Sequence, residues 1–381
     1  MIDTIVLMLE QADFEIVEHD RFTPSTEHLY KPPYFKGSCV QNPTKSDHAD
    51  GNYKPRLTVI TRKYIHGFGI VMRIEFSATK LLYGNNFAEV SDGEFLPLLE
   101  KLQQKLLGMG VKVSSLALTS AKVSMIHFSK NIILLNHTRC SMVLAELIKL
   151  DLWSRLDVNM RDYRNGGHLL KWHANSYEIV LYDKMKDLRQ AHISKKRAFE
   201  TDPLWQTDLF KRHDFPKQME VLRMEIRLNK RRVIKDMLKR LDIDASLTFS
   251  ELFKVNIAQA VILHHWKTIL AEVNMAALLA IDARAPDKLA ESIICMKPRI
   301  KPSKVVQAIG TITMFQQVGA PGIKAIFANS PKRVVQGLLT QCRNNTPKYH
   351  ARWMAIREVS RQLQEFSPIN LQTYSKVSNH D

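Results

Sequence analysis

The chain has 381 residues, enough for two domains that each bury a core. Its 55 Lys and Arg against 38 Asp and Glu leave a formal charge of +17, which makes a polyanion, nucleic acid above all, the leading partner. No apolar run approaches the roughly 20 residues of a spanning helix, so no membrane is expected. The opening MIDTIVLML lacks the basic flank of a signal peptide. Cys39, Cys140, Cys295 and Cys342 are too dispersed for a zinc or disulfide pattern, which reads as reduced thiols in cytoplasm.

In chain order, residues 4–9 and 56–62 read as strands, and residues 70–78 as a third. Strand alternation there turns Met72, Ile74, Phe76 and Ala78 inward and Arg73, Glu75 and Ser77 to the opposite face. Residues 95–107 carry helical periodicity, with Gly108 as the expected cap. Strands follow at 111–119 and 122–130; in the second, His127 shares a face with Val123, Met125 and Ser129. His127 is either a metal ligand or a satisfied core histidine. Residues 177–182 form a strand that runs into a charged helix, which leaves Tyr182 at the junction and Tyr177 on the core side with Ile179 and Leu181. In the strand 221–228, Leu222, Met224, Ile226 and Leu228 oppose Arg223, Glu225 and Arg227. These segments define an α+β domain over residues 1–245.

From Leu247 onward the texture is helical, giving a second domain over residues 246–370 and a tail at 371–381. Residues 297–357 contain eleven Lys or Arg and no Asp or Glu, unlike a solvated face of mixed sign. Within them KVVQAIGTITMFQQV, the turn GAPG, IKAIFAN and SPKRVVQGLLTQC suggest a helix-turn-helix-like DNA reader, with Ser330 as N-cap, Pro331 at the first helical position and Lys332 and Arg333 toward DNA. A plain helical bundle fits the same pattern.

If the strands of Glu75 and Glu225 share a sheet, the two carboxylates face one groove among arginines. That is what a Mg²⁺-dependent phosphodiester site needs; a salt-bridged sheet face is the alternative. A tyrosine hydroxyl, with an ordinary pKa near ~10, attacks phosphorus only where a metal ion or nearby cations favour the phenolate. Lys184, Lys186 and Arg189 follow Tyr182 closely, and residues 183–240 hold 17 Lys or Arg against 9 Asp or Glu. No HxH pair is present, so a metal would lean on carboxylates.

Together MIDTIVLML, RIEFSATKLLYGNNF, VLYDKMKDLRQ and VLRMEIRLNKRRVIK with LTFSELFK, in that order over residues 1–255, resemble the replication initiator endonuclease of filamentous phages, the gene II protein type. The resemblance implies an antiparallel-sheet nuclease domain of the rolling-circle initiator type, distantly akin to plasmid initiators without a histidine pair, followed by a helical DNA-binding domain. It implies Mg²⁺- or Mn²⁺-dependent nicking of one strand at a double-stranded origin. Tyr182 would carry the 5′ phosphate, and strand transfer would then recircularise the single-stranded product. Carried over by position, Tyr182 and Lys184 are catalytic, and Glu75 and Glu225 are metal ligands. His127 stands where the family has an acidic residue. Lys80, Arg223, Arg227, Lys230, Arg231 and Arg232 are DNA contacts. A host helicase and polymerase, the host bacterial cytoplasm and an oligomer on DNA complete the expectation. A conjugative relaxase and an origin binder that does not cut are the rival readings.

Overall fold

The computed structural model describes residues 1–30, 37–43, 53–64, 67–134, 138–150, 152, 160–164, 166–191, 220–273, 286–345 and 354–369. The 371–381 tail and much of the basic stretch after Arg189 lie outside them.

The fold is α+β. Nine strands form one antiparallel sheet in the order β3-β4-β5-β1-β7-β11-β10-β9-β8. They are β1 (Ile2–Glu10), β3 (Ser38–Gln41), β4 (Arg56–Tyr64), β5 (Gly67–Ser77), β7 (Lys122–Leu134), β8 (Met160–Arg164), β9 (Leu169–His173), β10 (Tyr177–Asp183) and β11 (Glu220–Leu228). A small second sheet pairs β2 (Phe14–Ile16) with β6 (Val111–Val113).

Period-two alternation gives the large sheet one apolar and one polar face. Met72, Ile74, Ile126, Phe128, Leu222, Met224, Ile226, Ile179 and Leu181 belong to a single core. Over that face lie helices α2 (Phe95–Gly108), α3 (Ser115–Ser120), α4 (Cys140–Leu147), α6 (Arg231–Arg240), α7 (Phe249–Leu252), α8 (Val255–Val273) and α12 (Met354–Glu365). Two further helices continue strands, one packed into that core and one on the polar face. α1 (Ala78–Tyr83) continues β5, and α5 (Lys184–Ala191) continues β10 and packs Met185 and Leu188 against Phe87 and Val221.

Several local expectations are corrected. Residues 111–119 are not one strand: β6 stops at Val113, and Ser114 caps α3 by accepting the Ala117 N–H at 3.1 Å. α2 runs through Gly108, and the left-handed residue that follows is Gly110, with φ of 78°. Val123 does not share the face of His127. The register shifts between Val6↔Met125 and Leu7↔Val123, so the bulge turns Val123 into the core.

The helical region is divided differently from the expected boundary at 246. α8 and α12 pack into the core of the sheet, and the Gln362 side chain spans both backbone groups of Ile133 on β7 at 2.8 and 2.7 Å. A second core joins only α9 (Pro286–Met296), α10 (Pro302–Ile326) and α11 (Lys332–Asn345), through Ile293, Ile312, Phe315, Ile323, Val335 and Leu339. α10 is two helices broken at Gly319, whose φ is 69°. The GAPG turn therefore exists as a kink. Ser330 and Pro331 precede α11, whose Lys332 and Arg333 are exposed.

Candidate functional site

The register aligns a row of polar side chains across the sheet. On β11, Arg223, Glu225 and Arg227 lie opposite Asn131, Ser129 and His127 of β7 on one side. On the other side they lie opposite Tyr182, Val180 and Glu178 of β10. Sequence alternation thus placed Arg223, Glu225 and Arg227 on one face correctly, and pairing brings Tyr182 onto it as well. Tyr177 falls on the core side, beside His265.

At the centre sits the Glu225 carboxylate, buried and fully engaged. Oε1 accepts the Tyr182 hydroxyl at 2.7 Å and Arg223 Nε at 2.9 Å, while Oε2 accepts Arg227 Nε and Nη2 at 2.9 and 2.7 Å. Burial pushes this carboxyl up, but Arg227, Arg223 and the tyrosine hydroxyl together hold it well below the usual carboxylate range. The same charge acts on its neighbour in the opposite sense. Burial first, and then the Glu225 charge, raise the Tyr182 phenol well above its ordinary value. At rest the phenol is a proton donor to a carboxylate.

Arg223 organises the site's far wall. Its Nη2 donates to Ser129 Oγ at 2.9 Å and pairs with Asp3 at 3.2 Å; its Nη1 reaches the Asn86 carbonyl at 2.8 Å. Gly84, with φ of 71°, ends α1, and the Asn85 side chain then accepts the Phe87 and Ala88 N–H groups, which shapes the loop that presents Asn86. Arg223 is consumed inside the protein, so its expected role as a direct DNA contact is corrected. Arg227, 30 % exposed, remains at the open side.

Lys184 begins α5 directly after the Tyr182 strand. Its ammonium is buried, lies 5.5 Å from the Tyr182 ring centroid and has no hydrogen-bond partner; Asp187 is 3.7 Å away. Burial and the Arg223 charge lower its pKa to about 8.

The expected metal set does not assemble. Glu75 shares the polar face but stands on β5, three strand spacings or roughly 14 Å from β11. It also aligns through Val6 with Met125, whereas Glu225 aligns with Ser129, four residues or roughly 13 Å along β7. His127 faces Asn229 at 3.3 Å, and burial with the Arg227 charge lowers its pKa. Spacing within each strand cannot reveal how many strands lie between them. Asp3 is the acidic residue that sequence reasoning missed. It is the isolated carboxylate of an otherwise apolar strand, 19 % exposed, with Ser77 Oγ at 3.4 Å. Among the described residues, one set of ligand-type side chains is close enough to hold a metal ion, and it is different: Cys140, Asp183 and Glu220.

Of the remaining expected DNA contacts, Lys80 is half-buried in α1. Lys230, Arg231 and Arg232 are exposed at the start of α6, which packs on the apolar side of the sheet. Among the described residues no helix is long and apolar enough to cross a membrane. No protein-family model, curated protein or solved structure gives a match to this chain.

Proposed function

We propose that the chain is a rolling-circle replication initiator that nicks one strand of a double-stranded origin with Tyr182 as nucleophile, and later transfers that strand to a 3′ hydroxyl. The observation that carries the reading is the Tyr182 hydroxyl at 2.7 Å from a carboxylate clamped by two arginines. Tyrosine needs a base to attack phosphorus, and Glu225 Oε1, which accepts the hydroxyl's hydrogen bond, is the atom positioned to take its proton. Clamped, Glu225 is a poor base. An arriving phosphate draws the partly exposed Arg227 toward itself, and the proton affinity of Glu225 rises as Tyr182 needs an acceptor. Lys184, a buried ammonium without a hydrogen-bonded partner 5.5 Å from the Tyr182 ring centroid, adds positive potential behind the nucleophile.

The Glu75, Glu225 and His127 set does not fit a hard divalent ion. A Mg²⁺ or Mn²⁺ requirement rests instead on Asp3, a partly exposed carboxylate at the site. The exposed cations of α6 and α11 suit a DNA backbone, and the +17 charge suits duplex origin and single-stranded product alike. No sequence motif for nucleotide hydrolysis is present, so unwinding and synthesis fall to a host helicase and polymerase.

The test is incubation with supercoiled DNA carrying the chain's own origin, with and without Mg²⁺. The wild type yields open circles with protein bound to the 5′ end, and Tyr182→Phe binds but does not cut. Normal cutting by Tyr182→Phe removes the nucleophile; tight binding without cutting by both proteins leaves an origin binder.

A further inference from the structure

On the apolar side of the sheet, directly behind Tyr182, three ligand-type side chains converge from three elements. Asp183 follows Tyr182 on β10 and turns to the other face; it lies opposite Leu222. Glu220 opens β11, and Cys140 opens α4, which packs against β9, β10 and β11. One ligand atom from each lies within 4.8 Å of the others, with Cys140 and Asp183 buried and Glu220 half-buried. His168 adds an imidazole: its Nδ1 is 2.8 Å from Asp183 Oδ2.

The charge balance distinguishes this group from every other buried acid here. Glu225 is held by two arginines, and Glu89 by Lys130 at 2.6 Å. Asp183 and Glu220 have no lysine or arginine partner among the described residues. Asp183 accepts the Lys186 N–H at 2.9 Å and pairs with His168, while Glu220 accepts the Cys140 N–H at 3.0 Å and a hydrogen bond from the Cys140 thiol. A buried and a half-buried carboxylate beside a thiol thus have an imidazole as their one nearby counter-ion among the described residues, an imbalance that a bound cation relieves.

We propose that Cys140, Asp183 and Glu220 bind a zinc ion, with His168 orienting Asp183. A thiolate among the donors selects zinc over magnesium, and an imidazole hydrogen-bonded to a ligating carboxylate is a usual outer-shell partner. On binding, the Cys140 thiol gives its proton to solvent and its sulfur becomes the anionic ligand. The ion ties the end of β10, the start of β11 and the first turn of α4 together. It fixes the strand end that carries Tyr182 without entering the polar face.

The full chain, stripped with a chelator, is reloaded with Zn²⁺ or Co²⁺ in excess Mg²⁺ and freed of unbound metal by gel filtration. The wild type retains about one zinc per chain, and the cobalt form shows a thiolate-to-metal charge-transfer band. Cys140→Ser loses that band, and Glu220→Gln, which keeps the side-chain shape, weakens zinc retention about tenfold or more. Circular dichroism verifies that each variant is folded. Equal zinc in wild type and Glu220→Gln, or a charge-transfer band that survives Cys140→Ser, overturns the site. Metal content is read without reference to cutting, so this outcome is independent of whether the chain is a nickase.

Discussion

A phenol that donates to a buried, ionised carboxylate is stable only while the carboxylate has its own counter-ions, and Glu225 has two. Glu225→Gln leaves Arg223 and Arg227 facing each other without their anion. A loss of about 3–5 kcal/mol is expected, read as a lower denaturant midpoint. The sign with pH follows from the depressed folded value: this stability is complete above the ordinary carboxylate range near ~4.3 and is lost as pH falls toward the lower folded value. The variant therefore flattens the acid limb of a stability profile. Lys184 has the opposite character. Its folded value of about 8 lies below the ordinary 10.5, so the unfolded chain holds the extra proton between these limits and stability rises with pH across that window. Lys184→Met is expected to raise stability at pH 7 by on the order of 1–3 kcal/mol and to abolish that slope, while nicking falls. Equal stability and full nicking in the variant would remove Lys184 from the site.

Among the elements, the break in α10 carries the clearest requirement. Gly319 has positive φ, and a Cβ there would meet Lys149 Cα at 2.7 Å, while the next residue donates its N–H to the Lys149 carbonyl at 3.0 Å. The kink is thus a point at which the α9–α11 unit touches the sheet domain. Gly319→Ala is expected to cost about 1–3 kcal/mol and to increase proteolysis within that unit. Its sequence signal was the Gly and Pro of GAPG, which identified a turn but not the backbone it would press against. The misread strand at 111–119 has a similar origin. Alternating VKV fits a strand, but Ser114 supplies a cap that the apolar residues after it then use as a helix.

For the whole molecule, the core that supports the site is built from distant parts of the chain. Residues 1–245 contain every strand among the described residues, yet α8 and α12 cover their apolar face. A fragment ending at residue 245 would expose that face, and it is expected to be insoluble or to unfold without a cooperative transition. A chain in which only the α9–α11 unit is replaced by a short linker is expected to stay folded and to bind DNA with a shallower salt dependence, because Lys332 and Arg333 leave with it. Gel filtration and a salt titration of binding measure both.

What the sequence determined by itself is whatever alternation and charge dictate locally: the α+β class, most strands, the faces of β5 and β11, Tyr182 near the end of its strand, and the excess of positive charge. Those properties depend on neighbours two to four residues apart. Strand order, register and the folding back of α12 depend on distant partners, such as Ile133 and Gln362, 229 residues apart. Only the tertiary structure therefore separated Glu75 from Glu225, brought Asp3 to Arg223, and joined Cys140, which the spacing of the cysteines had passed over, to Asp183 and Glu220.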